Sequence, residues 1–423
     1  MTRRTPLSVS AAVPASPDAV EGAPDRPSRL LAVAAQQIAE QGAGATSARS
    51  VAAAAGAAAS AVNYNFGGIE HLFSRAFEQG ATRTAEWLEI RRAELRALPR
   101  SPDGAVRALE YVIVEWTRHA RPLALLYQEQ LVAEPGARTG PAWTALWRDF
   151  WLGVAGDFAL GEIEGRLMHM LFESEALYHL SSWSPALEAA ALRELIEHFG
   201  MVWLGASPGV RLGALARAEQ SAGVLAAGSI APSAVRITEA AAEVIKGGVG
   251  ALTHRAVAAR AGVTTGAVTH HFRTVEDLVA GAIRGQVMAL APMPGRQHNG
   301  PPIEEIGSIE EFLEAVRFYA VQDLPVSSSA GRRYPFLAAA RRPDLAGAGA
   351  VIRFAHGGTA RGAISRYFEP PAGTLSLYAG TLSRLSSTIW IACAADERPR
   401  ESRERLVGDI ADRLLRSLPA KPG

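Results

Sequence analysis

The chain has 423 residues, more than one ordinary domain needs, and its 48% hydrophobic content can fill a sizeable core. A net charge of only +1 excludes a general polybasic surface, so any nucleic-acid contact must come from local patches, and with lysine only at 246 and 421 those patches must be built from arginine. The lone Cys393 excludes an intramolecular disulfide and a cysteine-based zinc site, and no apolar run reaches the roughly 20 residues of a membrane-spanning helix.

Residues 1–25 are rich in Ala, Pro and Ser without periodicity and read as a disordered arm that has no signal-peptide core. From Ser28 the pattern turns helical, with Leu30, Leu31, Ala34, Ala35 and Ile38 on one face and Gly42 and Gly44 as the stop. Ser47 can cap a short second helix that ends at Ala55. Gly56 supplies the turn, a third short helix runs to about Tyr64, and a fourth begins near Gly68. Three short helices with a glycine turn before the third make a helix-turn-helix unit. Further helices are expected near 81–97, 103–119, 122–134, 139–160, 162–181 and 185–204, and residues 207–232 read as a linker.

The second half repeats this plan. Ile237, Ala240, Ala241, Val244 and Ile245 form the first apolar face, Thr253 caps the next helix, and Gly262 makes the turn. Val51 and Val257, Gly56 and Gly262, Val62 and Val268, Phe66 and Phe272, and Glu70 and Glu276 all stand 206 residues apart. A spacing of that length is duplication of a whole subunit rather than a solenoid repeat. Helices are then expected near 276–290, 308–323, 329–341, 346–368, 374–395 and 401–417, with a flexible loop at 292–302. The two halves should pack through the helices near 162–204 and 374–417 about an approximate two-fold axis. Nowhere is strand-like alternation sustained, so the fold class is all-α.

Seven of the eight tryptophans lie in the first half, and Trp143, Trp147 and Trp151 form a stripe at helical spacing. Trp116, His119, Tyr127, Trp147 and His169 are the candidate lining of a pocket for a flat or apolar effector, with core packing as the plainer reading. Glu175/His179 and Glu194/His198 sit at metal-compatible i, i+4 spacing but lack a third ligand nearby, so solvated helix pairs are expected, with no metal and no cofactor. The chain has no Ser/His/Asp arrangement and no phosphate-binding glycine loop after a strand, which gives an enzyme no support.

The ordered motif in each half resembles the TetR/AcrR family of bacterial transcriptional regulators. The first copy is Gly42, Ser47, Arg49, Val51-Ala52, Ala55-Gly56-Ala57, Asn63-Tyr64-Asn65-Phe66 and Ile69-Glu70-His71-Leu72. The second is Gly248, Thr253, Arg255, Val257-Ala258, Ala261-Gly262-Val263, Thr269-His270-His271-Phe272 and Val275-Glu276-Asp277-Leu278. The family's lysine before the glutamate, which helps hold a DNA phosphate, is Ile69 in one copy and Val275 in the other, where Arg273 is a partial substitute.

The resemblance implies two TetR-like subunits in tandem, each a three-helix DNA-binding domain followed by a helical ligand-binding and dimerisation domain. The divisions are 26–80 and 81–206 in the first half, and 233–284 and 285–418 in the second. The expected function is a cytoplasmic regulator, read as a repressor, that binds a double-stranded DNA operator under control of a small apolar or aromatic effector. It would work as a pseudo-dimer within one chain or as a homodimer of chains. The alternative is a helical sensor or interaction protein whose DNA-binding heads have decayed. The residues expected at DNA are Ser47, Arg49, Ser60, Asn63, Tyr64 and Asn65 in the first head, and Thr253, Arg255, Thr265, Thr269, His270, His271 and Arg273 in the second.

Overall fold

The computed structural model describes residues 25–132, 140–226, 232–245, 251–290, 308–311, 314, 326–355 and 357–421. The N-terminal arm and the 292–302 loop lie outside them, as does most of the helix expected at 308–323. Among the described residues the fold is all-α, and the one β feature is an isolated bridge between Phe368 and Ala420. No helix among them is long and apolar enough to cross a membrane.

The first half opens with α1 (Arg26–Gln41), α2 (Ala48–Ala54) and α3 (Ser60–Phe66). Helix α1 buries Leu30, Ala34 and Ile38, the face its periodicity sets, and stops where Gly42 takes a φ of 89°. Helix α4 then runs unbroken from Ile69 to Leu95, so the division placed at residue 80 falls inside a helix. Gly80 does not break it. A Cβ there would lie 2.6 Å from Trp143 and 2.8 Å from Leu126, so this glycine serves a close approach of helices. Helices α5 (Pro102–Val114), α6 (Arg121–Val132), α7 (Gly140–Asp157), α8 (Glu162–Tyr178) and α9 (Pro185–Phe199) complete the half.

The linker holds a helix that its sequence did not announce. Helix α10 (Ala214–Ala226) buries Ala214, Leu215, Ala218 and Ala222 and packs against α9 and a helix of the second half. Its start is capped from outside, because Glu194 on α9 accepts the backbone N–H groups of Leu212, Gly213 and Leu215 at 3.0, 2.8 and 3.0 Å.

In the second half, α11 (Pro232–Val244), α12 (His254–Ala261), α13 (Thr265–His271) and α14 (Val275–Leu290) rebuild the head. Helix starts Arg26 and Pro232, Ala48 and His254, and Ile69 and Val275 keep the 206-residue spacing. Among the described residues the half continues with α15 (Val326–Arg341), α16 (Ala346–Ala355), α17 (Gly358–Tyr367), α18 (Leu375–Ala392) and α19 (Pro399–Ser417). The single helix expected over 346–368 is two, parted at Gly357, whose φ of 102° is left-handed. The spacing has also slipped, since α8 and α18 begin at Glu162 and Leu375, 213 residues apart. Insertions between helices cost little loop entropy, whereas heads that share one geometry cannot absorb them.

The halves meet as expected in the main, α8 and α9 against α18, while α19 touches the first half near residues 200–204 and at Glu164. Arg166 pairs with Asp396 at 2.8 Å, Thr388 donates to the Met170 carbonyl at 2.7 Å, and Arg413 reaches Glu164 and the Trp203 carbonyl. The Glu/His pairs lie here too, and they are not solvated. Glu175 is fully buried between Arg353 and Arg384, with His179 at 3.1 Å. His198 is 5% exposed, edge-on to Tyr378 at 4.5 Å, with neither ring nitrogen hydrogen-bonded among the described residues. Their i, i+4 spacing fixed a shared helix face but not that the other half would cover it.

Burial, and then the nearby Arg211, pushes the His198 imidazole down to about 4. The unfolded chain therefore binds a proton more readily between pH 6.5 and 4, so stability is full above pH ~6.5 and falls by about 3 kcal/mol as pH drops through that window. His198→Gln should flatten this part of a urea-midpoint-versus-pH curve. An unchanged slope would show that the proton is taken up elsewhere.

Candidate nucleic-acid interface

Each head is built around the same glycine turn. After α2, Gly56 takes φ 63°, and the Ala57 N–H closes on the Ala52 carbonyl at 2.9 Å. After α12, Gly262 takes φ 64°, and the Val263 N–H closes on the Ala258 carbonyl at 3.0 Å. This helix-terminating geometry needs a left-handed residue, and it aims α3 and α13 away from their supporting helices. Val51, Val62 and Leu72 are buried beneath the first head, and Val257, Val268 and Leu278 beneath the second.

The cores are organised differently. Leu30, Ala34, Val51, Ala52, Ala61, Val62 and Leu72 form a small cluster of their own under the first head. In the second head the counterparts Ala240, Val257, Ala258, Val268 and Leu278 are continuous with the main core.

Capping separates the heads as well. Ser47 and Ser50 form a reciprocal capping box on α2, and Thr253 accepts the Ala256 N–H at 3.1 Å on α12. On the recognition helices, Thr264 accepts the Ala267 N–H at 3.2 Å, whereas Ala59 offers α3 no side-chain cap. Thr274 and Asp277 exchange bonds at 3.0 and 3.1 Å at the start of α14, where the first head has Gly68. Each such cap is worth about 1 kcal/mol.

Most of the side chains expected at DNA are exposed. Arg49, Ser60, Asn63 and Tyr64 are exposed, Tyr64 by 89%. Arg255, Thr265, Thr269, His270 and Arg273 are exposed on the second head. Two candidates are partly withdrawn: Asn65 donates its amide to the Ala61 carbonyl at 2.7 Å, and the half-buried His271 ring lies 5.1 Å from that of His270. Ser47 and Thr253 stand exposed at their helix starts, with hydroxyls already engaged in caps. His254 ties α12 to the end of α13 through the Phe272 carbonyl at 2.7 Å.

Arg49, Arg255, Arg260 and Arg273 are exposed and hold no ion pair among the described residues, which leaves their guanidinium forks open to phosphates. Arg236 on α11 adds a further cation, its Nη2 lying 3.0 Å from where a Cβ on Gly262 would stand. The second head thus exposes four arginines, Arg236, Arg255, Arg260 and Arg273, against Arg26, Arg29 and Arg49 on the first.

The effector candidates are brought together in part. Trp116, Tyr127 and Trp147 are fully buried, with Trp116 edge-on to Trp147 at 4.9 Å and Tyr127 6.3 Å from Trp147. The Tyr127 hydroxyl donates to Glu173 at 2.6 Å, and His169 reaches the same carboxylate oxygen at 3.3 Å. His119 stands apart, exposed and paired with Glu115. The cluster is closely packed, as the plainer reading expected. Several of its polar atoms nevertheless make no hydrogen bond among the described residues, including the indole nitrogens of Trp116, Trp143 and Trp147 and Nδ1 of His169, whereas Oε2 of Glu173 faces Arg333 at 3.9 Å.

The family model described as bacterial regulatory proteins, tetR family, matches the chain twice, at residues 30–76 and 237–282. The matches span α1 to α4 in one half and α11 to α14 in the other, the helices that carry the two glycine turns. No curated protein matches the sequence. The chain therefore carries the pattern of the tetR family of bacterial regulatory proteins twice, in tandem.

Proposed function

We propose that the chain is a transcriptional repressor acting in the cytoplasm, whose two unlike heads read two unlike half-sites on one DNA operator. The observation that carries this reading is the exposure, in a single chain, of two recognition helices with different faces: Ser60, Asn63 and Tyr64 on one, Thr265, Thr269 and His270 on the other. Asparagine pairs well with adenine edges, and threonine methyls suit thymine, so the two faces favour different bases. Arg49, Arg255 and Arg273 are assigned to phosphates, with Ser47 and Thr253 at helix starts near the backbone. Residues 26–80 and 233–284 are the units that meet DNA, and 81–206 and 285–418 the regulatory bodies.

An apolar or aromatic effector within the first body is part of the proposal. The unpartnered indole nitrogens of Trp116, Trp143 and Trp147 and Nδ1 of His169 support it, because each buried orphan costs free energy that a bound ligand would return.

A homodimer presents identical recognition helices and favours a palindrome, with half-sites one helical turn, about 34–36 Å, apart. One tandem chain should instead select an asymmetric site. Selection from a random DNA pool, with stoichiometry measured on the winning sequence, tests this. A perfect palindrome bound by one chain would refute independent reading by the two heads.

A further inference from the structure

The second half reaches into the first head. Arg341, the last residue of α15, donates from Nε to the Ala39 carbonyl at 2.9 Å and from Nη2 to the Ile38 carbonyl at 3.0 Å. Its Nη1 meets Glu129 of α6 at 2.6 Å, and Glu129 in turn accepts the Ala43 N–H at 3.2 Å. One guanidinium therefore closes the carbonyl end of α1 while a carboxylate fixes it from the side. Both groups are withdrawn from solvent, with side chains 13% and 5% exposed. Gly42 leaves room for the pair, since a Cβ there would lie 3.2 Å from Arg341 and 3.3 Å from Glu129.

The bonds continue toward the DNA-facing helices. Gln37, one residue before Ile38, exchanges bonds with Ser50 on α2, donating to its carbonyl at 3.2 Å and accepting from its hydroxyl at 2.9 Å. Ser50 closes the capping box with Ser47. The first head also needs such a tie more than the second does, because its apolar cluster is separate from the main core.

We propose that Arg341 and Glu129 are positioning residues for DNA binding, through which the second half sets the angle of the first head. The first head then reads the state of a helical body to which it is not joined in sequence. The proposal rests on the DNA-binding reading only for its consequence at an operator; the mechanical coupling stands by itself.

The test uses the full chain with spin labels on exposed, equivalent positions, Ala53→Cys on the first head and Ala259→Cys on the second, each paired with Glu401→Cys on α19. Cys393 is fully buried and out of reach of the label. Without DNA, Arg341→Met and, independently, Glu129→Gln should widen the 53–401 distance distribution at least twofold and leave the 259–401 distribution unchanged. If neither widens, or both widen equally, the pair is only structural and the proposal is overturned. With the selected DNA, both variants should lose about tenfold in affinity for sites that need both half-sites, and nothing on fragments carrying only the second head's half-site. Equal affinity of variant and parent for the full site would overturn the consequence at the operator. A parent chain that binds no DNA would refute the functional reading and leave the distance result to decide the coupling.

Discussion

Glu175→Gln is expected to destabilise the protein by about 3–5 kcal/mol, a large share of a typical domain's total. Glu175 is fully buried on α8 and meets Arg353 at 3.0 Å and Arg384 from across the interface; those two arginines are 3% and 2% exposed. Burial alone would raise its carboxyl, but Arg384 and then Arg353 outweigh that and hold it far below the usual range. Neutralising it leaves two buried guanidiniums facing an amide, and the cost is that of the unpaired charges more than of a missing bond. A lowered folded value also means that this contribution is present above the ordinary carboxylate pKa of about 4.3 and is lost as pH falls through the folded value. Urea unfolding at pH 7 checks the first claim. A midpoint within error of the parent's would show that the triad is not what holds the halves together. Replacing Glu175, Arg353 and Arg384 together by apolar residues of similar volume should recover most of the stability.

The second large effect is on DNA. Arg255→Ala with Arg273→Ala should lower the slope of log affinity against log salt by about one unit for each phosphate the chain no longer neutralises, whereas Arg49→Ala alone should lower it by no more than about one. All three are exposed and free of ion pairs among the described residues, so their removal leaves the core intact and unfolding midpoints should hold. The second head is ranked above the first because it exposes Arg236, Arg255, Arg260 and Arg273 against Arg26, Arg29 and Arg49, and because Thr264 caps its recognition helix. Salt titrations on one DNA fragment decide the ranking. If Arg49→Ala abolishes binding while Arg255→Ala is silent, the order is reversed.

The heads were the most legible part of the chain. The apolar face of α1, the turns at Gly56 and Gly262 and the caps at Ser47, Thr253, Thr264 and Thr274 are local chemistry, in which one residue and its neighbours within four positions decide the backbone. The all-α class and the twofold family match follow from the same local patterns, repeated at a fixed spacing. The aromatic stripe at Trp143, Trp147 and Trp151 was visible for the same reason, and it lies in the core.

What the sequence left open was whatever a distant partner decides. The division placed at residue 80 falls inside α4, where Gly80 lets Trp143 and Leu126 approach closely. Residues 214–226 read as linker because their small apolar face is weak in isolation; it becomes a helix between α9 and α16, capped by Glu194. Glu175/His179 and Glu194/His198 read as solvated pairs because helical spacing fixes which residues share a face and says nothing of what covers it. Arg341 carries no local motif at all, and only the approach of α15 to the end of α1 gives it carbonyls to close. Periodicity and capping act within a few residues of chain, so the sequence by itself determined the helices and the two heads. Burial and charge pairing act through space, so only the tertiary structure decided how the halves lock together and which residues of one half hold the other.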